Sequence, residues 1–227
     1  MIGVFDSGMG GVYALSELRR LSPDFDIVLY KDTKNAPYGN KSESELVKLV
    51  SEDIDKLLSC GCSAVVMACC TASTVYDLLP EKYRSASIPI IDPCAKKAVE
   101  ISQNKNVGVL STEATRRSKA FQRAILKYNT AANVVSVSAP ALVTMAEAGF
   151  SDENLTSTEI CELEKILIPF RKSKVDTLIL GCTHFAYFER TIQKILNVKT
   201  VNSAQVCAEL ASRNDAAGSG ITVYLED

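Results

Sequence analysis

Nine short apolar runs recur along this chain of 227 residues, and stretches with helical patterning separate many of them. The runs are Ile2–Phe5, Ile27–Tyr30, Ala64–Ala68, Ile88–Ile91, Val107–Leu110, Val134–Val137, Thr177–Leu180, Lys199–Val201 and Ile221–Tyr224. Short continuous apolar runs suit strands buried on both faces, as in parallel sheets. Glu43–Leu58 is the clearest helix. Leu46, Leu49, Val50, Ile54, Leu57 and Leu58 share one of its faces, and Ser42 with Glu45 three residues on forms a capping box. Ser118–Tyr128 and Ser157–Phe170 are patterned similarly. The alternation predicts an α/β fold, with parallel sheets covered by helices on both faces and right-handed crossovers.

The pattern also repeats. Ala64-Val65-Val66-Met67-Ala68-Cys69-Cys70-Thr71 resembles Thr177-Leu178-Ile179-Leu180-Gly181-Cys182-Thr183-His184. Ile2-Gly3-Val4-Phe5-Asp6-Ser7 resembles Val107-Gly108-Val109-Leu110-Ser111-Thr112 and precedes the first cysteine strand as the latter precedes the second. Two similar α/β domains follow, 1–93 joined by 202–227, and 94–201. Each offers a thiol at a strand's carboxyl end, where α/β folds place ligands. Racemisation, which needs similar acid/base groups on opposite faces of one carbon, would use such a pair.

Bulk properties exclude several classes. Net charge is −2, too little to draw in nucleic acid or an anionic membrane. No apolar stretch approaches the roughly 20 residues of a membrane span, and Met1–Asp6 lacks the layout of a signal peptide. Eight cysteines without an export signal fit a reducing cytoplasm, where thiols are packed, catalytic or metal-bound rather than bridged. His184 is the only histidine, which removes mechanisms that need two imidazoles.

Asp6-Ser7-Gly8-Met9-Gly10-Gly11 follows the first strand and opens a helix. It fails the dinucleotide fingerprint, since Tyr13 stands where the third glycine belongs, and it lacks a P-loop's Lys-Ser/Thr ending. It reads either as a tight turn with Asp6 capping the helix, or as a loop presenting Asp6 and Ser7 to a ligand. Asn35-Ala36-Pro37-Tyr38-Gly39 is a turn by composition, and Asp32 could cap or hydrogen-bond within it. Ala216–Gly220 is a loop.

Cys60, Cys62, Cys69 and Cys70 are dense enough to suggest zinc, but an extended segment holds Cys62 and Cys69 roughly 20 Å apart. Zinc ligands must lie within about 2.3 Å of one point. Cys60, Cys62, Cys94, Cys161 and Cys207 read as packed side chains. Cys69 and Cys182 differ, because each stands before an expected helix whose amino terminus would lower the thiol pKa. His184, two residues after Cys182, is either structural or a proton partner for that thiol.

Six pieces together carry a family resemblance: Asp6 through Gly11, Asp32 with Pro37-Tyr38-Gly39, Cys69 through Ser73, Thr112 with Thr115, Pro140 through Gly149, and Gly181 through His184. In order and spacing the chain resembles the cofactor-independent aspartate/glutamate racemases, and within them the glutamate branch. The resemblance implies two α/β domains related by a pseudo-twofold axis, with the active site in the cleft between them. It implies catalytic Cys69 and Cys182, assisted by Asp6 and His184. The substrate-binding positions it implies are Ser7, Pro37, Tyr38, Gly39, Cys70, Thr71, Thr112, Thr115, Glu147 and Thr183. It further implies no cofactor and no metal, with L- and D-glutamate as the small-molecule partners and D-glutamate feeding peptidoglycan. Members of the family often form homodimers.

The chain departs from the family at Cys70, where the family carries an Asn whose amide contacts the substrate. It also stops soon after Ile221–Leu225, where the family continues into a final helix. Other readings stay open at this stage. They are a sister enzyme acting on another acidic amino acid or small diacid, a binding or regulatory protein with a degenerate site, and a Cys–His hydrolase, which would leave Cys69 unexplained.

Overall fold

The computed structural model describes residues 1–213 and 218–226. Among them the strands are β1 Ile2–Asp6, β2 Ile27–Lys31, β3 Ala64–Met67, β4 Ser87–Pro89, β5 Asn106–Ser111, β6 Asn133–Ser138, β7 Thr177–Gly181, β8 Lys199–Asn202 and β9 Thr222–Glu226. The helices are α1 Gly10–Leu21, α2 Glu43–Ser59, α3 Cys70–Ser73, α4 Glu81–Arg84, α5 Ile91–Ile101, α6 Glu113–Ser118, α7 Ala120–Tyr128, α8 Pro140–Glu147, α9 Ser157–Lys172, α10 Glu189–Leu196 and α11 Ser203–Ala211. Short 3-10 helices form at Tyr38–Asn40, Tyr76–Leu78 and Thr183–Phe188. The loop expected at Ala216–Gly220 lies outside the described residues at Ala216 and Ala217.

The chain divides into two compact units, Met1–Ile90 with Ala204–Asp227, and Ile91–Ser203. The boundary falls before Ile91 rather than near Pro93. Ile91 begins α5, which packs on β7 and β8 of the second unit. For the same reason the run Ile88–Ile91 is only partly a strand, ending at Pro89.

In the first unit the sheet order is β4-β3-β1-β2-β9, and every recorded pairing is parallel. In the second it is β6-β5-β7-β8, again parallel throughout. Numbered within its own half, each sheet runs fourth-third-first-second, and the first unit adds β9 beside β2. The sequence repeat is therefore a repeat of topology. In such an order the chain leaves the first strand toward one side and the third toward the other. The crevice between those strand ends is where open α/β sheets bind ligands. It lies between β1 and β3 in one unit and between β5 and β7 in the other.

The α2 helix shows how local sequence fixes this frame. Ser42 and Glu45 close a reciprocal capping box at its start. Leu46, Val50, Ile54 and Leu57 then pack with Phe5, Val28, Tyr30, Val65 and Met67. Burying a side chain of this size is worth about 1.5–3 kcal/mol. The α9 helix opens on a second box, Thr156 with Glu159. It continues through Pro169 to Lys172, two residues past expectation, because Phe170 on its last turn is fully buried. The expected helix Ser118–Tyr128 begins instead at Ala120. Lys119 adopts a left-handed φ of 54° that separates α6 from α7.

Candidate active site

In the first unit, Ala68 and Cys69 both donate backbone hydrogen bonds to the Phe5 carbonyl, so β1 and β3 end side by side. Asp6 is buried, and its Oδ1 accepts the Gly8 amide at 2.9 Å. Because α1 begins at Gly10 with no side-chain cap bond, Asp6 braces the turn rather than capping the helix. A Cβ on Gly11 would stand 2.8 Å from the Asp6 Cβ, so a side chain at position 11 would crowd this turn.

Ser7 Oγ lies 3.3 Å from Cys69 Sγ. Cys69 caps α3, and Cys70 and Thr71 follow as buried residues of that helix. The 3-10 helix Tyr38–Asn40 packs against α3, which places the Pro37–Gly39 segment next to Cys70 and Thr71. The segment expected as an open turn thus contains a short helix, entered through a cis Ala36–Pro37 bond. Tyr38 is 1% exposed, and its hydroxyl is 2.6 Å from Asp32 Oδ2 and 2.7 Å from Asp53 Oδ2.

The expected lowering of the Cys69 pKa does not occur. Burial and the Asp6 carboxylate push this thiol up to about 11. Hydrogen bonds from Ser7 and Ala72 act the other way. The α3 helix is only four residues long, and the partial charge at its start is weak against burial plus a full neighbouring charge.

In the second unit, Ser111 pairs with Gly181, so Thr112 and Cys182 leave the sheet from adjacent strands. Thr112 caps α6, accepting the Thr115 amide at 3.3 Å and donating its hydroxyl to Thr115 Oγ1 at 2.9 Å. A 3-10 helix rather than an α-helix follows Cys182, and Thr183 and His184 are buried in it. His184 Nδ1 is 3.6 Å from Cys182 Sγ, and its Nε2 is hydrogen-bonded to Glu147 Oε1. Glu147 ends α8, which packs against that 3-10 helix. With the proton on Nε2 held by Glu147, the Nδ1 lone pair faces the thiol and can take its proton.

Each unit thus gathers its own share of the expected residues: Asp6, Ser7, Cys69, Cys70, Thr71 and the Pro37–Gly39 segment in one, and Thr112, Thr115, Glu147, Cys182, Thr183 and His184 in the other. Two of the cysteines expected to be packed, Cys60 and Cys161, are exposed, whereas Cys62, Cys94 and Cys207 are buried. Asp53 was not anticipated. It occupies the apolar stripe of α2, seven residues after Leu46 and three after Val50, and is 2% exposed. A carboxylate at a stripe position was the available signal. Among the described residues, no group of three or more His, Cys, Asp or Glu side chains is placed to hold a metal ion, and no helix is long and apolar enough to cross a membrane.

Residues 16–211 match the model of the Asp/Glu/hydantoin racemase family. A glutamate racemase of Desulforudis audaxviator is 35% identical over 201 residues, 88% of this chain and 72% of that protein. The crystal structure of a glutamate racemase isoform from Bacillus anthracis superposes with a TM-score of 0.88 at 30% identity, covering 100% of this chain and 87% of that one. The glutamate racemase of Francisella tularensis, solved with D-glutamate, gives a TM-score of 0.86 at 27% identity, covering 99% and 86% of the two chains. Sequence and fold agree over nearly the whole length, and the chain belongs to the Asp/Glu racemase family.

Proposed function

We propose that this protein is a glutamate racemase, interconverting L- and D-glutamate by proton transfer between Cys69 and Cys182. One observation carries the reading. In two copies of one sheet topology, a cysteine with its own polar neighbours follows the carboxyl end of the third strand. The family relatives named glutamate racemase, one of them solved with D-glutamate, supply the substrate.

In one direction the Cys182 thiol first passes its proton toward His184. The thiolate then takes the α-proton, breaking the Cα–H bond and leaving the electron pair on the substrate. Cys69, held as a neutral thiol, delivers its proton to the opposite face and is left as a thiolate. The reverse direction exchanges the roles. Thr71, Thr183, Ser7 and the Pro37–Gly39 segment bind the substrate's polar groups, and hydrogen bonds stabilise the developing charge. The reaction requires the carboxyl ends of both sheets to serve one substrate carbon. D-Glutamate made this way supplies peptidoglycan, and the reaction belongs in the cytoplasm, where eight cysteines free of disulfides stay reduced.

Cys70 favours one alternative, the same chemistry on another acidic amino acid or small diacid. Incubation with L-glutamate in D₂O tests both. Deuterium at Cα together with loss of optical activity supports the proposal. Exchange with aspartate or a diacid but not with glutamate replaces it with the alternative.

A further inference from the structure

The buried contacts around Tyr38 do not balance unless a carboxyl carries a proton. A phenol has one hydrogen to donate, yet Tyr38 Oη lies 2.6 Å from one carboxylate oxygen of Asp32 and 2.7 Å from one of Asp53. Asp32 is the acceptor of the pair, because its Oδ1 already takes the Asn35 amide at 3.3 Å and the Asn35 side-chain N–H at 2.9 Å. The second contact therefore needs a hydrogen from Asp53. On the far side of Asp53, Lys56 Nζ donates to the Tyr30 hydroxyl at 2.6 Å, and Tyr30 in turn hydrogen-bonds Asp53. The donors align in one direction, from Lys56 through Tyr30, a protonated Asp53 and Tyr38 to an ionised Asp32. Phe5 closes the space with its ring against both tyrosines, and Lys41 stands 6.0 Å above the Tyr38 ring.

The last acceptor matters for the site. Asp32 follows β2, receives no competing charge from Asn35, and donates its backbone N–H to the Asp6 carbonyl. Through Tyr38 it fixes the turn that packs on Cys70 and Thr71. We propose that Asp53 is a positioning residue that, while it carries a proton, locks the Asp32–Asn40 loop through Tyr38 in its substrate-binding form. When Asp53 ionises, two carboxylates flank one hydroxyl, one contact loses its hydrogen, and the loop loosens. Burial and the nearby Asp32 charge outweigh the opposing hydrogen bonds with Tyr38 and Tyr30 and the Lys56 charge, and raise the Asp53 carboxyl to about 7. The inference rests on the proposed racemase reading only for what the loop binds.

The test is a pH titration of the full chain labelled with ¹³C-carboxyl aspartate, the Asp53 signal being assigned with D53N. The expected result is an Asp53 carbon that titrates near pH 7, with the Asn35 and Gly39 amide resonances moving at the same midpoint. Those amide shifts should vanish in D53N, whose amide keeps a donor toward Tyr38 but cannot ionise. They should also vanish in Y38F, which removes the linking oxygen. With glutamate as substrate, KM should rise about tenfold across the same midpoint in the native protein and stay flat in D53N, while a merely structural Asp53 would leave that profile alone. An Asp53 carbon ionised throughout, below pH 5, overturns the protonated chain. Titration near neutrality with unmoved Asn35 and Gly39 amides overturns the positioning role. Absence of racemase activity at every pH would refute the function while the resonance titration still decides this proposal.

Discussion

The two thiols sit at equivalent strand ends in opposite electrostatic company. Cys69 has a carboxylate, Asp6, beside it and a hydroxyl, Ser7, in contact, and its thiol is held protonated. Cys182 has an imidazole in contact, and that imidazole is anchored by Glu147. The buried carboxylates Asp6, Asp32 and Asp53 all lie in the first unit, and among the described residues the second unit buries none. Duplicated topology therefore fixes where each sulfur stands, and side chains added afterwards decide its resting proton. A reaction that removes a proton on one side and supplies one on the other starts from unlike halves, even though both must act in both roles over a full cycle.

The strongest way to break this comparison is to remove each sulfur in turn. C69S and C182S should each lower racemisation by about 10³-fold or more, because a hydroxyl is far harder to ionise than a thiol. Circular dichroism of glutamate reads the loss, and full activity in either variant would leave only one unit in the chemistry.

Next in size is the stability difference that a buried carboxyl imposes on the first unit. A group at about 7 in the fold and about 3.9 unfolded destabilises the native state by up to about 4 kcal/mol across that window. This penalty is absent below about pH 4, grows as pH rises toward 7, and is complete above it. D53N should lack this penalty, so its urea midpoint should gain on the native protein's between pH 4 and 7. Parallel curves would mean that Asp53 titrates normally.

E147Q sharpens the comparison from the other side. It loosens the imidazole without touching either sulfur, and kcat/KM should fall about 100-fold. The equilibrium constant between enantiomers is one, so the fall must be equal from L- and from D-glutamate. Progress curves from both ends check this, and an undiminished rate would make His184 independent of Glu147.

Cys70→Asn restores an amide in the first unit and should lower KM for glutamate about 10- to 100-fold, with less change in kcat. A panel of aspartate, glutamate and diacids distinguishes a weakened glutamate site from one rebuilt for another substrate. Least in size, S42A and T156A each remove one capping box, one per unit, and should cost about 1 kcal/mol. Hydrogen exchange should report each loss in its own unit.

Much of this arrangement is legible in the chain, and the reasons are particular. The apolar runs identify the strands because parallel strands are covered on both sides, and two Ser/Thr–Glu pairs mark where α2 and α9 begin. The cysteines stand out because the runs before them are so alike. What stays hidden depends on contacts distant in sequence. Asp53 shows in the sequence only as a carboxylate on an apolar stripe, and its partner Tyr38 meets it across 15 positions. Lys119 breaks a helix with no glycine or proline to announce it. The Cys69 pKa is set by burial and by Asp6, 63 positions earlier, rather than by the short helix that follows the thiol.

The strand β9 joins a sheet begun almost two hundred residues earlier, pairing along β2 from Ile27↔Thr222 to Lys31↔Glu226. During synthesis at roughly 5–20 residues per second, the 191 positions from 31 to 222 take on the order of 10–40 s. For that interval the Ile-Val-Leu-Tyr-Lys edge of β2 waits for its outer neighbour, and the whole of the second unit, ending at Ser203, is synthesised before β9 is made. An apolar edge left open is a template for pairing with another chain. The order of translation thus makes the first unit the slower to close, and substitutions that delay the docking of β9 should appear as lost yield before they appear as lost activity.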